Sequence, residues 1–233
     1  MTATNPAIYA FLKFGAKQHL EELRRDGLLY MSPLASFAKL ESDMVRDDRF
    51  EGTTRIMQPK HIGEFVIDTG RIGFGKISVN PSELTGPVRI GLHRTVSCNV
   101  YCLFAVTGPV DGELVNRQNF QFGDSFILFL NPTEFLNRVI VAARKAGFSY
   151  LEHRLVEYYD GDDYSGETGR FRKRSLFSYQ NEFRIAVEPG SETAQRLKIG
   201  GLTDITSDVL PMSEVNEVLD FGIPSAREAG ISC

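Results

Sequence analysis

The chain has 233 residues, 42% of them apolar and 24% charged, with a formal charge of −4. That length accommodates one domain with a sizeable core. The mildly acidic balance excludes a general attraction to nucleic acid or anionic lipid, so any such role needs a local basic patch. Three cysteines are too few for a disulfide framework. Cys98 and Cys102, four apart in an extended run, sit about 13 Å apart at ~3.3 Å per residue and cannot bond to each other. The opening fifteen residues lack the pattern of a signal peptide, and no apolar run approaches the ~20 residues of a membrane span. A cytoplasmic protein with free thiols is the expectation.

The pattern predicts a strand over 9–14, then a helix over 16–27. Ala16, Leu20 and Leu23 face inward in that helix, Glu21 and Arg25 form an i,i+4 pair, and Gly27 caps the C-terminus. A short strand over 28–31 follows. Ser32 as N-cap and Pro33 at the first helical position predict a second helix, with Leu34, Phe37 and Ala38 on its buried stripe. Residues 40–55 read as a charged loop. Strands are predicted at 64–68, 75–79 and 88–92. Over 95–108, Val96, Cys98, Val100, Cys102, Phe104 and Val106 make an unbroken apolar face, as in a central strand with that face in the core.

A strand over 124–130 leads to the clearest helix, 131–147. Asn131 caps it, Pro132 occupies the first turn and Glu134 holds the capping-box position. Phe135, Leu136, Val139, Ile140 and Ala143 form its inner face. Residues 148–160 read as one strand, and 161–174 as a Gly-rich mobile surface loop, first acidic and then basic. The stretch 175–187 ends as a strand, with segments at 196–201 and 205–210 and a helix from Ser213 to Asp220 after it. Strands outnumber helices without alternating regularly, which predicts an α+β domain with a mainly antiparallel sheet over 1–222 and a C-terminal tail at 223–233.

No phosphate-binding loop, nucleophile elbow or H-E-x-x-H motif is present. The glycines of "GRIGFG", residues 70–75, lack a preceding strand and a following helix. His19, His61, His93 and His153 are scattered, with no ligand-spaced neighbour. Two charged clusters remain. Glu41, Asp43, Asp47, Asp48 and Glu51 are interleaved with Arg46 and Arg49, either as a solvated loop or as a loop lining a site. Arg170 to Arg174 is either a solvated run or a grip for phosphate. The most specific signal is Gln180-Asn181-Glu182-Phe183-Arg184. A period of two places Gln180, Glu182 and Arg184 on one face and Phe183, Ile185 and Val187 on the other. The polar face is either solvated or turned into a cleft, where a carboxylate among apolar groups acquires a perturbed pKa.

Two separate pieces of the chain carry a family resemblance. "FLKFGAKQHLEELRRDGLLYMSPLASFA", residues 11–38, runs strand, glycine turn, helix, "L-x-x-x-G-L", strand, short helix. It resembles the N-terminal unit of the ADP-ribosyltransferase superfamily. "QNEF", residues 180–183, resembles the Gln-x-Glu motif of many of those enzymes. The opening unit and the late strand are similar, too, to a group of uncharacterised bacterial domains with a late "(Q/E)-x-E-(F/W)-R" pattern.

The resemblance implies that NAD is the substrate and that Glu182 is the catalytic glutamate, with Gln180 orienting the acceptor. Lys13, Phe14 and Gly15 occupy the place of the family's His-Gly or Arg motif, from which this chain departs. Tyr30 and Ser32 fall where an aromatic residue or serine borders the nicotinamide, and Arg184 lies on the same strand as Glu182. A macromolecular acceptor, protein or nucleic acid, and a role in a bacterial toxin or phage-defence system follow from the same resemblance. Two other readings stand beside it. One is a metal-dependent nuclease-like domain using the acidic loop, the Glu182–Arg184 strand and the basic run. The other is a non-catalytic binding module on the same scaffold.

Overall fold

The computed structural model describes residues 6–39, 50–73, 75–91, 98–108 and 113–218. Its strands in chain order are β1 (Ala10–Gly15), β2 (Leu28–Pro33), β3 (Arg55–Met57), β4 (Phe65–Asp68), β5 (Lys76–Val79), β6 (Val88–Ile90), β7 (Asn99–Val106), β8 (Ser125–Phe129), β9 (Tyr150–Leu155), β10 (Glu157–Tyr159), β11 (Gly166–Glu167), β12 (Arg172–Arg174), β13 (Glu182–Glu188), β14 (Gln195–Lys198) and β15 (Leu210–Pro211). The α-helices are α1 (Lys17–Asp26), α2 (Pro132–Lys145) and α3 (Val215–Val218). The fold is α+β, built on an eight-stranded sheet, with β3, β6 and β11 in a separate sheet and β4–β5 forming a two-stranded one. Among the described residues, no helix is long and apolar enough to cross a membrane.

The sheet forks at β7. Strand β13 takes one edge of β7, from Glu182 opposite Phe104 to Val187 opposite Asn99. Two strands share the other edge. β1 pairs with the Phe104–Val106 end, and β2 pairs Ser32 with Val100 and Pro33 with Asn99. Backbone polarity is consistent with this division. Ala105 N donates to Asn181 O on the β13 side, whereas Cys98 O and Val106 O accept from Leu34 N and Tyr9 N on the other. Between these two partners, on that edge, the Cys102 carbonyl has no strand opposite it among the described residues. The Lys13 ammonium reaches it instead, at 2.8 Å, which meets the requirement that such a group be paired.

Both faces of β7 are buried, more than the alternation predicts. Tyr101, Leu103 and Ala105 join Phe11, Phe183, Ile185 and Val187 in the main core, which α1 covers with Leu20 and Leu23 and α2 with Phe135, Val139 and Ala143. Phe11 packs 4.6 Å from Phe183 and edge-on to Phe135 at 6.2 Å between ring centres, an arrangement aromatic quadrupoles favour. The face predicted to be an unbroken apolar surface is divided. Phe104 and Val106 pack with Leu12, Val115 and Phe126, while Cys98 and Val100 pack with Leu34, Phe171 and Ala186. Arg184 stands opposite Cys102, between the two groups. Val96 lies outside the described residues.

Local signals hold where tertiary pairing does not compete. Gly27 ends α1 at φ +60°, its N–H bonding Leu23 O. An added Cβ there would fall 1.7 Å from Gly200 O, so the position needs glycine twice over. Leu20 and Leu23 are buried as predicted, but Ala16 is exposed. Arg25 forks onto the adjacent Asp26 at 2.7–3.0 Å rather than onto Glu21. The helix predicted from Ser32 gives way to strand β2 and a 3-10 helix, Leu34–Lys39, because Ser32 and Pro33 join the sheet. Leu34 is buried and Phe37 half-buried.

Residues 148–160 divide into two strands. Val156 N donates to Glu182 O, and β10 then turns to pair β12 in parallel. The predicted helix after Ser213 is a 3-10 turn, Met212–Glu214, continued by α3. The tail at 223–233 lies outside the described residues.

At the start of α2, Asn131 Oδ1 accepts from Glu134 N at 3.0 Å. The Glu134 carboxylate does not close a capping box; it accepts from Arg138 Nε at 2.8 Å. Asn131→Ala is therefore expected to destabilise the fold by about 1 kcal/mol. Urea unfolding checks this, and an unchanged midpoint would contradict it.

Candidate functional site

A cavity of about 1020 Å³ opens where β1 and β2 part along β7. Lys13, Phe14, Gly15, Tyr30, Ser32, Gln180, Glu182 and Arg184 all line it. The two pieces of sequence that carry the family resemblance therefore meet at one site. Another part of the chain closely approaches Gly15. A Cβ on Gly123 would lie 2.3 Å from the Gly15 backbone, so the turn after the 3-10 helix Arg117–Phe122 packs directly on the end of β1.

Gln180 reaches the cavity by a route different from the predicted one. It ends a 3-10 helix, Ser175–Gln180, and is not on the strand. Asn181 then adopts φ +35°, a left-handed conformation that asparagine tolerates, and β13 begins at Glu182. The side chain still converges on the strand's polar face, because Lys173 Nζ donates to Gln180 Oε1 at 2.8 Å.

Four charged side chains form the cavity's buried floor. Arg184 is 1% exposed and Glu51, Glu182 and Lys173 at most 5%. Arg184 Nε donates to Glu182 Oε1 at 2.8 Å, and Nη1 donates to Glu51 Oε1 at 2.6 Å and to Arg170 O. Lys173 Nζ lies 3.3 Å from Glu182 Oε2 and 3.8 Å from Glu51 Oε2. Tyr158 OH accepts from Glu182 N at 2.9 Å and fixes the strand's start.

The basic end of the 161–174 segment is packed into the fold, while Asp162, Asp163 and Glu167 at its acidic end are exposed. Phe171 is buried in a core cluster and Lys173 in the charged floor. Arg170 pairs with Glu188 and Arg172 with Glu157, and Arg174 lies over the Phe50 ring. Arg170, Arg172 and Arg174 are thus engaged by partners within the molecule, Arg170 and Arg172 from partly exposed positions.

The two carboxylates are driven in opposite directions. Burial alone would raise the Glu182 carboxyl. The Arg184 and Lys173 charges outweigh it and hold the group well below the usual carboxylate range. Burial pushes the Glu51 carboxyl up, and the same two cations only partly offset it while Glu182 adds to it. Arg184 and Lys173 are each raised: burial would lower them, and the two carboxylates prevail. Burial pushes the Cys102 thiol up to about 12 and Cys98 to about 11, so neither is a nucleophile at neutral pH.

A pH experiment separates the two carboxyls. Glu182, lowered on folding, contributes stability that is present above its unfolded value and lost as pH falls through its folded value. Glu51, raised on folding, contributes stability that is present below an unfolded value of roughly 4.3 and lost as pH rises through its folded value. Glu51→Gln is therefore expected to gain stability relative to the unaltered chain as pH rises from about 4.3 toward neutrality. Urea unfolding across that range checks it, and a difference that stays constant with pH would contradict it.

Glu51, Lys173, Tyr101 and Asn119 are among the lining residues that the sequence reading did not single out as site residues. Glu51 was one of several acidic residues in a charged run, with nothing to separate it from its neighbours. Glu41, Asp43, Asp47 and Asp48 lie outside the described residues. Among the described residues, no group of three or more His, Cys, Asp or Glu side chains could hold a metal ion.

Comparison with protein-family models, with curated proteins and with solved structures gives no significant match. The functional reading therefore rests on the cavity's chemistry and on the motif resemblance.

Proposed function

We propose that the chain is an ADP-ribosyltransferase-like enzyme that consumes NAD in the cavity at the fork of the sheet. The observation that carries this reading is the convergence of Lys13-Phe14-Gly15, Tyr30 and Ser32 with Gln180 and Glu182 around one cavity. At about 1020 Å³ the cavity stands at the upper end of small-molecule sites, which run to roughly 1,000 Å³. Phe14 and Tyr30 add aromatic surface to its lining.

In the reaction, the bond between ribose C1′ and the ring nitrogen breaks, and its electron pair leaves with nicotinamide. The acceptor's nucleophile bonds C1′ and gives up a proton. The chain's own contribution is electrostatic. Glu182, kept ionised by Arg184 and Lys173, places fixed negative charge beside the carbon where positive charge develops. Its shell is already organised, so little reorganisation accompanies the step. Gln180, held by Lys173, borders the acceptor.

An acceptor that is a protein or a nucleic acid, action in a bacterial cytoplasm and a place in a toxin or phage-defence system belong to the same proposal. The nuclease-like reading has less support, because Arg184 and Lys173 bridge the carboxylates it needs. Titration calorimetry of the full chain with NAD tests the reading. One saturable site per chain is expected; no heat and no thermal stabilisation by NAD would contradict it.

A further inference from the structure

The outer edge of the cavity carries positive charge that the fold does not use. Strands β2 and β14 are antiparallel neighbours, with Tyr30 opposite Arg196 and Leu28 opposite Lys198. Directly opposed residues of such a pair point to the same face of the sheet, and residues two apart on one strand share that face. The residues between them settle which face it is. Leu29, Met31 and Leu197 are buried in the main core, so Leu28, Tyr30, Arg196 and Lys198 face away from it. Leu28 and Tyr30 line the cavity. Arg196 and Lys198 therefore continue that lining surface by one strand, and both are exposed.

The two cations stand about 7 Å apart along β14, at ~3.4 Å per residue. Arg196 lies over the Tyr30 ring, 5.1 Å from its centre. Among the described residues, neither Arg196 nor Lys198 forms a hydrogen bond or ion pair through its side chain. Exposed arginines such as Arg25 and Arg117 take an adjacent carboxylate. Arg196 is held by an aromatic ring instead, which orders the guanidinium and leaves its N–H fork open for an anion. Asp26, which also lines the cavity, does not neutralise this edge. Both its carboxylate oxygens accept from Arg25, and Lys198 acts on it only through space.

The cations deeper in the cavity are committed in contrast. Lys13 is on Cys102 O, Lys173 on Gln180 and Glu182, and Arg184 on Glu182 and Glu51. A phosphate reaching the buried floor would have to displace a carboxylate. At the edge it would displace only water.

We infer that Arg196 and Lys198, with Arg196 held over Tyr30, form a phosphate subsite at the edge of the cavity, for a ligand whose other end enters the cavity. The inference rests on the proposed function in taking NAD as that ligand, while the chemistry it names, a phosphate ester or diphosphate, is common to nucleotides.

The test is titration calorimetry of the full chain with NAD, with ADP and with nicotinamide riboside, which has no phosphate. Arg196→Gln combined with Lys198→Gln is expected to weaken NAD binding by about tenfold, the value of one or two charge-assisted hydrogen bonds at an exposed site, and to leave the riboside's affinity unchanged. Arg196→Lys keeps the charge but loses the fork, and is expected to fall between the two. Because neither side chain bonds to the rest of the fold, the double variant is expected to melt with the unaltered chain.

NAD and ADP affinities that are both unchanged in the double variant would overturn the inference. So would an equal loss for the riboside, or a double variant that melts well below the unaltered chain. ADP binding that depends on the two cations, in a chain that does not bind NAD, leaves the inference standing and removes the NAD reading. NAD binding that ignores both substitutions does the reverse, and binding of neither NAD nor ADP overturns both.

Discussion

Arg184→Met is expected to destabilise the fold by about 3–5 kcal/mol, the cost of leaving buried charge without its partner. Arg184 is among the largest fully buried side chains of the described residues, and one guanidinium holds both Glu51 and Glu182 at 2.6–2.8 Å. Methionine fills similar space with an apolar chain, so the loss reflects charge more than volume. Lys173 alone would remain to balance two carboxylates in a site from which water is largely excluded. Adding Glu51→Gln and Glu182→Gln removes the stranded charge and is expected to recover much of the loss, a non-additivity that marks a coupled network. Denaturant unfolding of the single and triple variants measures it. A single-variant loss below about 1 kcal/mol, the range of a surface pair, would show that the four groups do not act as a buried unit.

Glu182→Gln carries the largest expected effect on activity. A neutral amide cannot stabilise a developing positive charge as a carboxylate does, and losing one such electrostatic group costs about 10²–10³ in kcat. The loss should fall on kcat and kcat/KM together, with KM for NAD little changed, because the interaction strengthens only as the bond breaks. Removing a buried charge from the network also threatens folding. Glu182→Asp provides the control: it keeps the charge and retracts the carboxylate by one carbon–carbon bond, ~1.5 Å. Both variants should bind NAD in calorimetry while releasing nicotinamide more slowly. A folded Glu182→Gln chain that turns over at the unaltered rate would remove Glu182 from the chemistry.

How far the sequence disclosed this arrangement depends on the range of the interaction. Helix α2 and the end of α1 were legible because capping residues and inward stripes act within a few positions. Ser32-Pro33 misled for the opposite reason. The cap signature is local, but the backbone there is claimed by β7, far along the chain. The Gln180–Arg184 polar face was legible as a candidate because alternation survives in the strand, although Gln180 itself sits on a preceding 3-10 turn. The Arg170–Arg174 run was not legible. Its charges suggest solvent, and only the fold brings Lys173 beneath Glu182 and turns Phe171 into a core cluster. Arg196 and Lys198 carried no sequence signal, since their place beside the cavity exists only after β14 has paired with β2.

The most direct test of the central claim is the appearance of free nicotinamide when the full chain is mixed with NAD and a bacterial extract that supplies acceptors. The account expects release that depends on the chain and that Glu182→Gln slows by about 10²–10³. No release above the chain-free control, or equal release by the two chains, would contradict it.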